Sequence, residues 1–456
     1  MIQLFLYYLL AMLVVAVAIW SMIRPSASIG LFISLYATEQ ILLSQFQWDP
    51  LYGQLYNFGV GSICAIAIMR ALFTNGMPPV PVHLGSVFFI LMFLVCASLL
   101  WTPAPNTAGD WIQHFVIEGS LAFILPIATL RSRDDFAAPM QVTIVIAVIT
   151  AIWTLASPLG PVGGRVSLIE SATVLSPATL MGVAMIALAI MSTSILGVLG
   201  RIRILPIAIL AGGLFVSGAR GQFLAAVALS AWFVVTMRMS RQISTLVGVL
   251  AVIVMAIVLG ASVLLLDMDV AGLPMEGRYS AESLESGFDV RLAMIEKSLT
   301  FDRPFFGHGV GGWSFMENGM DRIPRAMKVL KHPHNSLAQA FYEIGFVGLA
   351  LFLMLVWRGL SSARGLWGVT RSDPVLRSLV AMTVAYLGFE FLMSLKQATF
   401  MAALGLYLSI SMLEALRLIY RIEFLRSSEG EGDSDLLYAQ EGADGLELGG
   451  LGDPLR

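Results

Sequence analysis

The stretch Lys331–Phe352, KHPHNSLAQAFYEIGFVGLALF, passes from two histidines flanking a proline into an apolar helix within a few residues. Ser336-Leu337-Ala338-Gln339 follows Asn335 as a capping-box pattern, which predicts a helix start here. The apolar run continues to about residue 357, long enough to cross a bilayer. His334 therefore sits at the lip of a membrane span, just before its first turn.

Runs of this kind recur from end to end. The chain has 456 residues, 57% hydrophobic and only 12% charged, with a mean hydropathy of +0.82. A soluble protein carries about twice that charged fraction. Spans are predicted near 2–23, 27–45, 55–69, 83–101, 112–130, 139–157, 177–197, 204–217, 221–237, 243–266, 336–357, 376–395 and 398–416. The fold class is all-α: a polytopic membrane helical bundle of about 12 to 13 transmembrane helices with one large external loop. The runs are continuous rather than alternating over about 10 residues, which excludes a β-barrel. The first run, Ile2 to Ile23, has no basic leader and no clear cleavage site, so it reads as a retained span.

If the spans alternate, one set of loops collects Arg24, Arg70, Arg131, Arg133, Arg201, Arg203, Arg238, Arg241, Arg358, Arg364, Arg371 and Arg377. The opposite short loops hold only Arg165, Arg220 and Lys396. The positive-inside rule then puts the arginine-rich side and the C-terminus in the cytoplasm. The expected localisation is a bacterial inner membrane, with the large loop in the periplasm. The chain divides into a bundle over 1–266, a polar loop over 267–335, further spans over 336–418 and an acidic, disordered tail over 419–456. Cys64 and Cys96 lie inside apolar runs as small packing residues.

Several residues could carry chemistry. The positive end of a helix disfavours an imidazolium, so His334 reads as a neutral general base. A membrane-interface histidine that merely caps a helix would look the same. Arg220 lies in the tight turn Val216-Ser217-Gly218-Ala219-Arg220-Gly221-Gln222, where a guanidinium suits a phosphate or diphosphate. Anchoring to lipid headgroups competes with that role. Arg291 sits in Phe288–Lys297, a short amphipathic helix in the loop. Gly307-His308-Gly309-Val310-Gly311 is a glycine-dense turn without the Lys-Ser/Thr ending of a phosphate loop. Arg165, in Gly163-Gly164-Arg165, is a further external cation. Intramembrane Glu39, Glu118, Glu343 and Glu390 need partners, and nothing in their spacing links them. His332 and His334 lack the further ligands a zinc site requires, so no metal and no cofactor is expected.

Together these features resemble the O-antigen ligase and polymerase superfamily of bacterial envelope glycosyltransferases. The resemblance rests on His334-Asn335, nine residues, then Gly345-Phe346-Val347-Gly348. The glycine turn, Arg291, the Ser217–Gly221 turn with Arg220 and the long loop before the last spans add to it. Where that family commonly has a tryptophan four residues after the loop arginine, this chain has Ile295. Twelve spans are usual there, against about thirteen here.

The resemblance implies a donor glycan on undecaprenyl diphosphate, with its diphosphate held by Arg220 and Arg291. His334 activates the acceptor hydroxyl, with Asn335, Arg165, His332 and His308 as substrate-binding candidates. The implied acceptor is a lipid A-core sugar for a ligase, or another lipid-linked glycan for a polymerase. Membrane lipids and other polysaccharide-assembly proteins are expected partners; nucleic acid is not. A transporter of a small anion such as bicarbonate is the alternative, and it would show inverted repeats and broken helices. Neither is evident in the sequence. A membrane scaffold that recruits partners through its acidic tail would leave the external arginines and histidines without a role.

Overall fold

The computed structural model describes residues 2–43, 50–79, 81–157, 175–238, 292–299, 302–321, 332–396 and 399–430. The described residues are mostly helical, with no strand among them. In chain order they form α1 (Ile2–Ile23), α2 (Ala27–Ile33), α3 (Leu35–Leu43), α4 (Pro50–Asn75), α5 (Val82–Ala97), α6 (Pro105–His114), α7 (Ser120–Thr129), α8 (Ala137–Ala156) and α9 (Leu175–Ile190). Two single turns follow, α10 (Thr193–Leu196) and α11 (Val198–Arg201), then α12 (Ile204–Val216) and α13 (Arg220–Arg238). The loop supplies α14 (292–298) and α15 (Gly312–Asn318), and the chain closes with α16 (Ser336–Val369), α17 (Pro374–Lys396) and α18 (Leu404–Gly430).

Among the described residues, eight helical segments are long and apolar enough to cross a membrane, and α9 and α12 are shorter apolar helices. The expected span at 243–266 lies outside the described residues, as do Arg165 and Arg291. The span expected at 27–45 is two helices. Ser34 closes α2 with its hydroxyl on the Leu31 carbonyl, and α3 begins at the next residue. Residues 105–129 are one segment in which Phe115–Gly119 takes a π turn between α6 and α7. The last helix runs on to Gly430, past the expected boundary at 418.

Contacts mark the two ends of the bundle. At one end Gln3 donates to Ser157, and the loop docks on residues 98–107. At the other end the arginines gather. Arg24 donates to the Asp134 carbonyl, Arg131 to the Gly76 carbonyl, and Arg203 to the Gly200 carbonyl and Thr193. Arg133 pairs with Asp373 and Glu423, joining the turn before α8 to the start of α17 and to α18. Arg377 lies over the Trp367 ring, 5.4 Å from its centroid.

One continuous apolar core fills the bundle, from Leu6 in α1 to Ile419 in α18. Phe88, Phe115, Phe123 and Tyr407 stack at its centre; the Phe88 and Phe123 rings are parallel, 4.3 Å apart. Close approach is built in with glycine: a Cβ on Gly30 would strike the Pro139 carbonyl of α8, at 2.5 Å.

Candidate functional site

The site is assembled where α13 and α16 begin and α17 ends. The expected capping box at Ser336 does not form. Asn335 is the N-cap instead, its side-chain oxygen accepting the amides of Leu337 and Ala338 at 3.0 Å each. The Ser336 hydroxyl is drawn away to the Ser394 carbonyl at 3.0 Å, and the Asn335 side-chain nitrogen donates to the Leu395 carbonyl at 3.1 Å. These two bonds staple the start of α16 to the last turn of α17.

His334 stands on this staple. Its φ is +54°, the single positive φ outside glycine among the described residues. A left-handed backbone at a side chain of this size is strained by about 1–2 kcal/mol, and such strain collects at functional positions. Its amide donates to Nδ1 of His332 at 3.3 Å, and the two rings meet edge to face, 4.4 Å apart. His332 in turn meets the edge of Trp111 in α6, at 6.1 Å. The two histidines are thus one unit, wedged between α6 and the top of α16.

Arg220 opens α13 after the turn that the sequence predicts. Gly218 has φ +67°, its amide donates to the Phe215 carbonyl, and the Ser217 hydroxyl bonds the Leu214 carbonyl. The structure adds a residue that the sequence analysis did not assign to the site. Lys396, the last residue of α17, lays its ammonium against Gly221, and a Cβ there would collide with it. Its neighbour Leu395 holds Asn335. Arg220, Lys396 and His334 are therefore linked through three helix ends.

The glycine turn lies one to three turns further along α16 and is part of that helix's hydrogen-bond ladder. Gly345 leaves the helix at φ +67°, ψ −167°. The amides of Phe346 and Val347 consequently abandon the carbonyls four residues back and donate to Pro304 and Phe305, at 2.8 and 3.3 Å. The released carbonyls of Tyr342 and Glu343 accept the amides of His308 and Gly309, at 2.9 and 2.7 Å. The loop has intercepted the helix and replaced its bonds one for one. Gly345 fits because a Cβ there would strike the Phe305 carbonyl. The buried Glu343 carboxylate locks the splice, accepting the Gly311 amide at 3.0 Å and the Gln339 side chain at 2.9 Å.

His308 stacks on Tyr342 at 4.4 Å and bonds Asp302 at 3.1 Å. It is held in this splice and not in the His332–His334 unit. Further along the loop, Thr102 donates to the Val310 carbonyl at 2.6 Å, and Asp321 accepts from the Asn106 amide at 2.9 Å. The same loop walls an apolar groove of about 570 Å³ with Phe93 and Trp101, and Arg303 lies at its lip.

The break at Gly345 corrects the expectation that no span is broken. It sits about 14 Å from the helix start and is filled by loop backbone. The intramembrane acids also fall into groups that their spacing did not suggest. Glu118 and His114 share Tyr36, with His114 Nε2 at 2.9 Å from its hydroxyl, and Glu39 faces the same cluster. Glu343 belongs to the splice, and Glu390 packs against Gly405. Among the described residues no group of three or more His, Cys, Asp or Glu side chains is placed to hold a metal ion.

Residues 205–353 match the family described as O-antigen ligase. The matched stretch runs from α12 into the middle of α16 and bears out the resemblance read from the His334-Asn335 and Gly345–Gly348 motif. It takes in Arg220, Arg291, the glycine turn and His334, and leaves out Lys396. No curated protein matches the chain.

Proposed function

We propose that this protein transfers a glycan from undecaprenyl diphosphate to an acceptor hydroxyl at the periplasmic face of a bacterial inner membrane, as an O-antigen ligase or a surface-polysaccharide polymerase. The observation that carries the reading is the convergence of His334 and Arg220 at one end of the bundle. The helix starts that carry them lie in a segment matching the O-antigen ligase family, and both meet the last turn of α17, through Asn335 on Leu395 and Gly221 on Lys396. Orientation follows from the opposite end, where the arginines gather; the positive-inside rule assigns that end to the cytoplasm.

In the proposed reaction His334 accepts the proton of the acceptor hydroxyl as its oxygen attacks the anomeric carbon. The bond from that carbon to the diphosphate breaks, and undecaprenyl diphosphate leaves. Arg220, and Arg291 from the loop, bind the diphosphate and offset the charge that grows on it. His332 fixes the imidazole of His334, and Asn335 holds the pair on α17. His308 and Arg165 would contact the glycan. No nucleotide sugar, metal or cofactor takes part in this scheme.

The test is a strain lacking the gene, complemented with wild type, His334→Ala or Arg220→Ala. Both variants are expected to insert normally and to lose transfer by about 10²–10⁴-fold. Loss of the whole ladder on lipid A-core, with long lipid-linked chains retained, identifies a ligase. Collapse to single repeat units, or loss of secreted polymer alone, identifies a polymerase. Full transfer by both variants removes the reading.

A further inference from the structure

We infer that Lys396 is a second cation of the donor site, binding the lipid-linked diphosphate beside Arg220 and taking up part of the charge on the leaving group. The inference rests on the glycan-transfer reading above and adds a residue from outside the family-matched segment.

Three observations carry it. First, the ammonium of Lys396 packs on Gly221, the residue after Arg220, so the lysine reaches from its own helix to the first turn of the helix that Arg220 opens. Second, the meeting is built and not incidental. The residues just before Lys396 supply the carbonyls that hold Asn335 and Ser336, so the step that fixes His334 also fixes the lysine. Third, the ammonium stands at a helix start, a position that favours anions. A lysine at a helix C-terminus is favoured by the negative pole of its own helix. This one reaches across to the start of α13, where the amides form a positive pole and Arg220 adds a full charge. A cation placed there gains most when an anion of two or more charges lies between the groups. A diphosphate supplies that charge, and its oxygens outnumber what one guanidinium can engage.

Lys396 is half-buried at the end of its span, as a group must be to meet the head of a lipid arriving from the bilayer. During transfer the lysine forms and breaks no covalent bond. It keeps its protons and strengthens its hydrogen bonds as the bridging oxygen takes the electron pair of the broken bond to carbon.

The experiment uses the full-length protein in lipid nanodiscs, with an undecaprenyl-diphosphate-linked oligosaccharide as donor, and measures kcat and the KM of donor and acceptor separately. Lys396→Gln is expected to lower kcat/KM for the donor by about 10- to 100-fold, with the acceptor KM unchanged. Lys396→Arg should recover most of that loss. Gly221→Ala provides an independent arm: it keeps the charge and pushes the ammonium aside, so donor kcat/KM should fall by about tenfold or more. Unchanged donor kinetics in both Lys396→Gln and Gly221→Ala overturn the inference. Equal losses toward donor and acceptor, tracking a fall in folded protein, overturn it too, because a helix-end role would give that pattern. Activity lost in His334→Ala and Arg220→Ala but intact in Lys396→Gln sinks the lysine alone. Full activity in those first two removes the reading and the inference together.

Discussion

The two ends of this bundle are built in different ways. At the arginine-rich end, charge is neutralised within the protein: Arg133 bridges Asp373 and Glu423, and Arg24 lies 3.9 Å from Asp135. Backbone there is ordinary, with a 3₁₀ turn capped by Ser132 and Asp135. At the other end Lys396 packs on Gly221, next to Arg220 in the chain, a histidine is held at positive φ, and loop backbone replaces helix bonds. One end is built for its own stability. The other holds a histidine in a strained backbone, and such strain collects at functional positions.

Substitutions can break this contrast. The largest effect is expected at the strained histidine. His334→Gly should lose transfer by about 10²–10⁴-fold and yet raise the thermal midpoint, since glycine relieves about 1 kcal/mol of left-handed strain. A fall in the midpoint would show that the histidine stabilises the fold. Next comes Gly345→Ala, which forces a Cβ into the Phe305 carbonyl at a positive φ. A loss of about 3 kcal/mol and release of the loop to protease are expected. Arg133→Ala should leave transfer intact in membranes and cost about 1 kcal/mol, as a partly exposed ion-pair network does.

The smallest effect is the acid limb of stability. Burial pushes the Asp373 carboxyl up, but the Leu376 amide and the Arg133 guanidinium outweigh it and hold it below its ordinary value. A carboxylate lowered in the folded state stabilises above its unfolded value and loses that contribution as pH falls through the folded one. The loss should therefore begin below about pH 4 and be flatter in Arg133→Ala, read by thermal melts across pH.

The spans were legible because bilayer thickness demands about 20 apolar residues in a row, and that demand is written locally. Local pattern also marked His334 and the Gly218 turn with Arg220. The features it missed are those decided by distant partners. Ser336 has the sequence of a cap, yet its hydroxyl goes to Ser394, leaving Asn335 to cap the helix. The run from Ser336 to Val369 contains no proline, and only the docked loop explains why it breaks at Gly345. Lys396 looked like one of a few scattered external cations, because the glycine it touches is in another helix. The grouping of Glu118 with Tyr36 depends on the π turn, for which the sequence carries no clear signal.

The staple between Asn335 and Leu395 also bears on when the molecule becomes competent. The histidine and the carbonyl that anchors its shoulder are separated by two membrane crossings in opposite directions. During synthesis, α16 enters the bilayer with its cap only half-satisfied and waits for α17 to return. Until that return, His334 has no fixed stance and the lysine has not arrived. On the glycan-transfer reading, the nascent chain thus stays inert while its earlier helices already meet lipid, and the last turn of α17 acts as the latch that arms it.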